Sequence, residues 1–259
     1  MLTTSGNSTL RTMNSQITIP SEKGDVEAHF SMPDGSGKYP CLVLIEEIWG
    51  VNNHIKDVAN RFAKEGFIVI APELLPEGLL EKLTPQFQKD MFDPEKRHAA
   101  QPKLREAMAP MQQPEYALGT IEKLKACVDY LIAHAQGNGK VGSLGFCFGG
   151  TYSMQLAIHD PRLDACVVFY GHTPDPVEMV KGLACPVLEF HGQHDANIMP
   201  TLPKLEAAME EYDKDFQLVV YPDAGHAFFN DTNERAYRKT DAEDAWNKSL
   251  AFLHKYLET

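Results

Sequence analysis

The hexapeptide Gly145-Phe146-Cys147-Phe148-Gly149-Gly150 places a cysteine two residues from a glycine on either side, after the apolar run Val141–Leu144 and before a helix-compatible stretch containing Tyr152, Met154, Leu156 and Ala157. A strand that turns abruptly into a helix exposes its apex residue at the carboxyl edge of a sheet. The glycines around the apex are needed because a Cβ there would meet neighbouring backbone. Cys147 therefore reads as a nucleophile rather than a buried thiol. The free amides of the following helix favour a thiolate, and the backbone N–H of Phe148 is placed to stabilise an oxyanion.

A nucleophile of this kind needs a base and a group that orients the base. Downstream lie His191-Gly192-Gln193-His194-Asp195 and then Asp223-Ala224-Gly225-His226, each directly after an apolar run that reads as a strand. In hydrolases with such an elbow the chain order is nucleophile, acid, histidine, which selects Asp195 as the acid and His226 as the base. Asp223 is the rival acid, but it lies too close in sequence to His226 to orient the ring as easily. His191 and His194 read as residues that shape the acid loop. A metal reading of His191-x-x-His194-Asp195 lacks a glutamate to complete it, so no metal and no cofactor are expected.

The third feature is an acidic pair, Glu46-Glu47, directly after the apolar run Leu42–Ile45. Ionised carboxylates avoid such positions unless a partner compensates them, so a site is the economical explanation. A carboxylate beside the thiol would also keep that thiol protonated at rest.

The elements that must position these residues alternate along the chain. Candidate strands are Cys41–Ile45, Phe67–Ala71, Gly139–Leu144, Ala165–Tyr170, Val187–His191 and Phe216–Tyr221, preceded by a short antiparallel start at Gln16–Ile19 and Val26–Phe30. The runs LVLI, FIVIA and ACVVFY are continuously apolar, as in strands covered on both faces. Helices are expected over Asn53–Lys64, Leu202–Tyr212 and Ala242–Leu257. Another follows Pro114, where Leu118, Ile121, Leu124, Val128, Leu131 and Ile132 recur at intervals of three and four. This is the pattern of an α/β fold with a mostly parallel central sheet and helices on both faces. Residues 1–14 read as a flexible tail and 15–259 as one domain. Residues 75–114, rich in Pro, Gln, Met and charge, are too long for an ordinary connection and read as an excursion near the substrate.

Composition narrows the function further. A formal charge of −12 over 259 residues disfavours nucleic acid and anionic membrane surfaces as partners. No apolar run reaches the roughly 18 residues of a membrane span, and the first dozen residues lack the apolar core of a secretory signal. Five scattered cysteines fit neither a disulfide framework nor a zinc knuckle, which points to the cytoplasm. The expected partner is a small molecule, and the chain is expected to be a monomer or small homo-oligomer.

Four segments together resemble the dienelactone hydrolases: Ile45-Glu46-Glu47-Ile48-Trp49-Gly50-Val51-Asn52, the Cys147 hexapeptide, the Gly192-to-Asp195 loop, and Ala224-Gly225-His226-Ala227-Phe228. They occur in that family's order, across nearly all of the chain from about residue 15. The resemblance implies an α/β-hydrolase fold and a Cys147, His226, Asp195 triad. It further implies that Glu47 contacts the thiol and takes its proton when substrate binds, with the amide of Ile48 as second oxyanion donor. Catechol-pathway members hold a substrate carboxylate with arginines, one of them a few residues after the histidine. Here Asn230 stands at that place, which favours an uncharged substrate. Trp49, Phe228 and Tyr170 join Asn230 as expected pocket residues, and Arg97 or Arg105 could supply a cation from the excursion. Because a thiolate leaves more readily than an alkoxide, activated esters and enol lactones are the favoured substrates. Thioester hydrolysis, or a non-catalytic role for Cys147 as a redox sensor, are the alternatives.

Overall fold

The computed structural model describes residues 10–258. Its centre is one eight-stranded sheet in the order β1-β2-β4-β3-β5-β6-β7-β8. The strands are β1 (Thr12–Ile19), β2 (Val26–Pro33), β3 (Tyr39–Ile45), β4 (Ile68–Pro72), β5 (Gly137–Phe146), β6 (Ala165–Phe169), β7 (Val187–Gly192) and β8 (Phe216–Tyr221). β1 and β2 pair antiparallel with each other, β2 pairs antiparallel with β4, and every later pairing is parallel. β3, β4 and β6 are buried almost throughout, as their unbroken apolar text requires. At the open edge, β1 begins at Thr12, so residues 12–14 of the expected tail pair with β2; residues 1–9 lie outside the described residues.

The helices are α1 (Asn53–Lys64), α2 (Leu79–Lys82), α3 (Pro85–Phe92), α4 (Pro94–Met108), α5 (Pro114–Ala133), α6 (Phe148–His159), α7 (Leu202–Glu211) and α8 (Lys239–Leu257). α1 starts where Asn52 caps it, its side chain accepting from the Ile55 amide. α5 buries Ile121, Leu124, Val128 and Leu131, but Leu118 and Ile132 are exposed, a correction to the apolar face read from the sequence. At about 100° per residue, these two stand roughly 120° and 80° round the helix from Leu124.

The excursion is helical, which the sequence reading did not anticipate. Thr84 caps α3 and Asp93 caps α4, with Pro85 and Pro94 at the first helical positions. A proline there loses no hydrogen bond and has its φ already set, so Thr-Pro and Asp-Pro were usable start signals inside a stretch that looked like loop. α2 to α4 carry a small core of their own in Leu79, Leu83 and Ala107, against which Trp49, Leu75, Phe87, Leu104 and Met111 pack. Phe92 meets Trp49 edge to face at 5.6 Å, and Arg235 pairs with Asp93 at 3.4 Å.

Glu46 fastens the start of this excursion to the sheet. Its buried carboxyl accepts from the amides of Leu74 at 2.7 Å and Leu75 at 3.2 Å. Burial raises its pKa to about 8, against the two amides, which lower it, while Glu73 adds to the rise. Between the unfolded carboxylate range and pH 8 the unfolded chain therefore binds fewer protons here than the folded chain, and stability falls as pH rises. Glu46→Gln removes this proton linkage. Urea unfolding from pH 4 to pH 9 should show a flatter decline in the variant than in the wild type; identical slopes would contradict the assignment.

Candidate active site

The turn from β5 into α6 places Cys147 at φ 55°, ψ −111°, a conformation that L-residues avoid. The backbone leaves no alternative. A Cβ on Gly145 would lie 2.0 Å from the Gly149 carbonyl oxygen, and one on Gly149 would lie 2.1 Å from the Ile45 carbonyl oxygen. The elbow is thus clamped between β5, α6 and the end of β3, with the Cys147 amide donating to Phe169 of β6 at 2.9 Å. As the first residue of α6, Phe148 has no intrahelical acceptor for its N–H.

The five cysteines, all among the described residues, separate clearly. Cys41, Cys127, Cys166 and Cys185 are buried, and Cys147 is half-exposed. Burial pushes the thiols of Cys41, Cys127 and Cys166 up to about 12. Those thiols are inert at neutral pH.

His226 and Asp195 come together from the loops after β8 and β7, with His226 Nδ1 2.5 Å from Asp195 Oδ2. Asp195 is buried, and its backbone amide donates to Gly192 at 3.0 Å, folding the acid loop back onto the end of β7. Because Nδ1 is engaged, Nε2 is the ring nitrogen left for the thiol. Burial opposes protonation of His226, but the charge of Cys147, the Asp195 hydrogen bond and the Asp195 charge outweigh it and raise the pKa to about 10. Burial likewise opposes ionisation of Asp195, yet His226 and the Asn197 amide bring its pKa below the ordinary value. Asp223 makes no contact of this kind; its carbonyl accepts from Arg238.

Glu47 is buried, and both its oxygens are held. Oε1 accepts from the Tyr170 hydroxyl at 3.3 Å and Oε2 from the Asn230 amide at 2.7 Å. Burial raises the pKa of the Tyr170 hydroxyl well above its ordinary value, and Glu47 and Cys147 both add to the rise, so carboxylate and sulfur face the same group. Tyr170, at φ 41°, also packs its ring 4.9 Å from that of His226.

Three of the expected pocket residues are fully buried. Asn230 is fully buried and points at Glu47 rather than into an open acyl pocket, while its own oxygen accepts from the amide of Thr232 at 3.0 Å. Phe228 is fully buried against Phe169, Tyr170 and Tyr221. Tyr170 is fully buried too, and serves as a tie between Glu47 and the histidine loop. The sequence does not reveal that Asn230 and Tyr170 share a carboxylate partner from another strand end. Trp49 stays partly exposed beside the excursion, and Ile48 is buried next to it. Arg97 and Arg105 are exposed on α4. His191 is buried near the end of β7, and His194 lies in the loop after it, its amide donating to the Ala224 carbonyl; among the described residues no group of His, Cys, Asp and Glu could hold a metal ion. No helix there is long and apolar enough to cross a membrane.

The largest contribution raising His226 comes from Cys147, so removing the sulfur should lower the histidine's pKa. The stability linked to the imidazolium is fully present below the unfolded value of about 6.5 and is lost as pH rises towards the folded value. In Cys147→Ala that loss is complete at lower pH, because the folded value moves down towards the unfolded one. NMR titration of the His226 ring in wild type and Cys147→Ala measures the difference, and an unmoved titration would separate the two side chains.

Comparison with other proteins bears on the family and the fold. The family model described as "Dienelactone hydrolase family" matches residues 26–257. A protein of Saccharolobus solfataricus named "Putative carboxymethylenebutenolidase" is 33% identical, over 94% of this chain and 99% of its own length. The crystal structure of a "Putative Dienelactone Hydrolase" from Klebsiella pneumoniae superposes with a TM-score of 0.79 at 28% identity, covering 95% of this chain and all of that one. The dienelactone hydrolase of Anabaena variabilis, at 16% identity and a TM-score of 0.68 over 95% of this chain and 99% of its own, shares the fold. The strained cysteine elbow, the sheet that carries it and a family match spanning most of the chain lead to one conclusion: this chain belongs to the dienelactone hydrolase family and is a hydrolase with an α/β-hydrolase fold.

Proposed function

We propose that this protein hydrolyses an activated carboxylic ester or enol lactone through an acyl-enzyme on Cys147. The reading is carried by one arrangement: a half-exposed thiol on a strained apex, facing a histidine whose other nitrogen is bound by a buried aspartate. The thiolate attacks the ester carbonyl, and the oxyanion that forms is held by the amides of Phe148 and Ile48. His226, held protonated by its two negative neighbours, gives its proton to the departing oxygen as the tetrahedral intermediate collapses. It then takes a proton from the water that attacks the thioester. Asp195 keeps the ring in the one tautomer and orientation that serve both steps.

Glu47 supplies the gate in this reading. Its buried charge, fixed by Tyr170 and Asn230, opposes the second negative charge that His226 favours on the sulfur; when substrate enters, Glu47 takes the thiol proton and the thiolate forms beside the imidazolium. An oxygen of low basicity leaves ahead of the thiolate, whereas an ordinary alkoxide does not, which is why activated substrates are favoured.

With Asn230 turned to Glu47 and Arg235 paired with Asp93, neither lies ready for a substrate carboxylate. Neutral aryl esters and uncharged lactones should therefore be turned over at least as efficiently as a carboxylated dienelactone. A salt-sensitive preference for the carboxylated lactone in kcat/KM would mean that Arg97, Arg105 or another cation reaches the acyl group.

Kinetics of single variants on a chromogenic aryl ester test the mechanism. Cys147→Ala should lose at least about a thousandfold in kcat/KM while remaining folded. His226→Ala and Asp195→Asn should lower kcat far more than they change KM. Glu47→Gln should speed alkylation of Cys147. Turnover near the wild-type rate in Cys147→Ala would end this proposal, and an effect of His226→Ala or Asp195→Asn confined to KM would make those residues binding groups.

A further inference from the structure

β7 carries two ionisable side chains that the mechanism above does not use. Glu189 and His191 are two residues apart, so they project from the same face of the strand. They are 1% and 0% exposed. His191 Nε2 lies 3.6 Å from Glu189 Oε1, just beyond hydrogen-bond reach, and Glu189 Oε2 and both ring nitrogens have no hydrogen-bond partner among the described residues. The neighbours across the sheet are apolar: Val168 and Leu218 register beside Glu189, and Val220 beside His191. Among the described residues, neither group has an ion-pair partner other than its mate. An ionised carboxylate buried alone is too costly to persist, so the two must share a charge state as one unit.

The unit is adjacent to the acid of the triad. His191 is the penultimate residue of β7, and the acid loop returns onto that strand end through the Asp195 amide and the Gly192 carbonyl, 3.0 Å apart. We propose that Glu189 and His191 form a buried carboxylate–imidazolium pair that acts as a positioning pair for Asp195, setting a positive charge behind it so that it stays ionised and aimed at His226. This rests on the triad reading above. A protonated His191 is favoured by Glu189 beside it and by Asp195 at the same strand end, whereas a neutral ring would leave Glu189 protonated and Asp195 with only His226 and the Asn197 amide to balance it. The influence of His191 on Asp195 runs in this direction, favouring the carboxylate. The other titratable groups facing the unit are Cys166 of β6 on the Glu189 side, and His172 with the Asp195–His226 couple on the His191 side.

The test is the pH profile of kcat/KM for a neutral aryl ester in Glu189→Gln, His191→Gln and the double variant, with Asp195→Asn alongside. Glu189→Gln removes the charge that keeps His191 protonated, and His191→Gln removes the ring, so each variant makes Asp195 easier to protonate. The acid limb should move up by at least about half a pH unit in each. KM should stay within about twofold, and the double variant should move no further than either single, since the two act as a unit. A merely structural role would lower activity at all pH values without moving the limb, and that result, or additive displacements, would overturn the proposal. If Asp195→Asn is fully active the triad reading has failed; if it is inactive while the limb stays fixed, only the positioning pair has failed. Should the variants not fold, nitrogen NMR of the wild-type histidine rings at neutral pH decides: both His191 nitrogens protonated supports the pair, and a neutral ring overturns it.

Discussion

Everything at this site depends on the close approach of three backbone segments around Cys147. Gly145, Gly149 and the carbonyl of Ile45 meet at distances that exclude any side chain. That contact forces the apex residue into positive φ, lifts its sulfur clear of the sheet and starts α6 immediately behind it. The strain is borne by the sheet, because β3, β5 and β6 pair in parallel register on either side of the turn. Loops alone could not hold such a conformation; a buried sheet can, since moving one strand would break the ladder of its neighbours.

Around the elbow, buried carboxylates do different work according to what holds them. Glu46 accepts two backbone amides and ties the excursion to the strand end. Glu47, one residue later, faces the opposite way and is held by a tyrosine and an asparagine from two other loops. Asp195 accepts from His226 Nδ1. Each is buried and each has its own compensation: Glu46 keeps its proton up to about pH 8, while Glu47 and Asp195 are held by side-chain hydrogen bonds. Cys147 and Asp195 raise His226 against its burial, so the cation is produced by its surroundings rather than by the histidine itself.

The parallel sheet was legible because strands buried on both faces must be apolar throughout, as in Cys41–Ile45 and Ala165–Phe169. The elbow was legible because only glycine meets its spacing. The Asp195 loop and the His226 loop were legible as segments following strands, and the structure brings their side chains to 2.5 Å. The excursion was not read as helical, because α3 and α4 owe their starts to caps and proline rather than to an apolar stripe. Nor could the sequence reveal that Asn230 serves Glu47, 183 positions away, since a hydrogen bond between distant loops leaves no local periodicity. Leu118 and Ile132 show the converse error: apolar residues at helical spacing need not face the core.

The central claim, a covalent acyl group on Cys147, is tested most directly by stopping the wild-type enzyme during turnover of an aryl ester and locating the acyl group by peptide mass spectrometry. The account predicts one acyl group per chain, on the peptide containing Cys147, formed faster than it is released. A chain that turns over the ester but never carries an acyl group on Cys147 would contradict it.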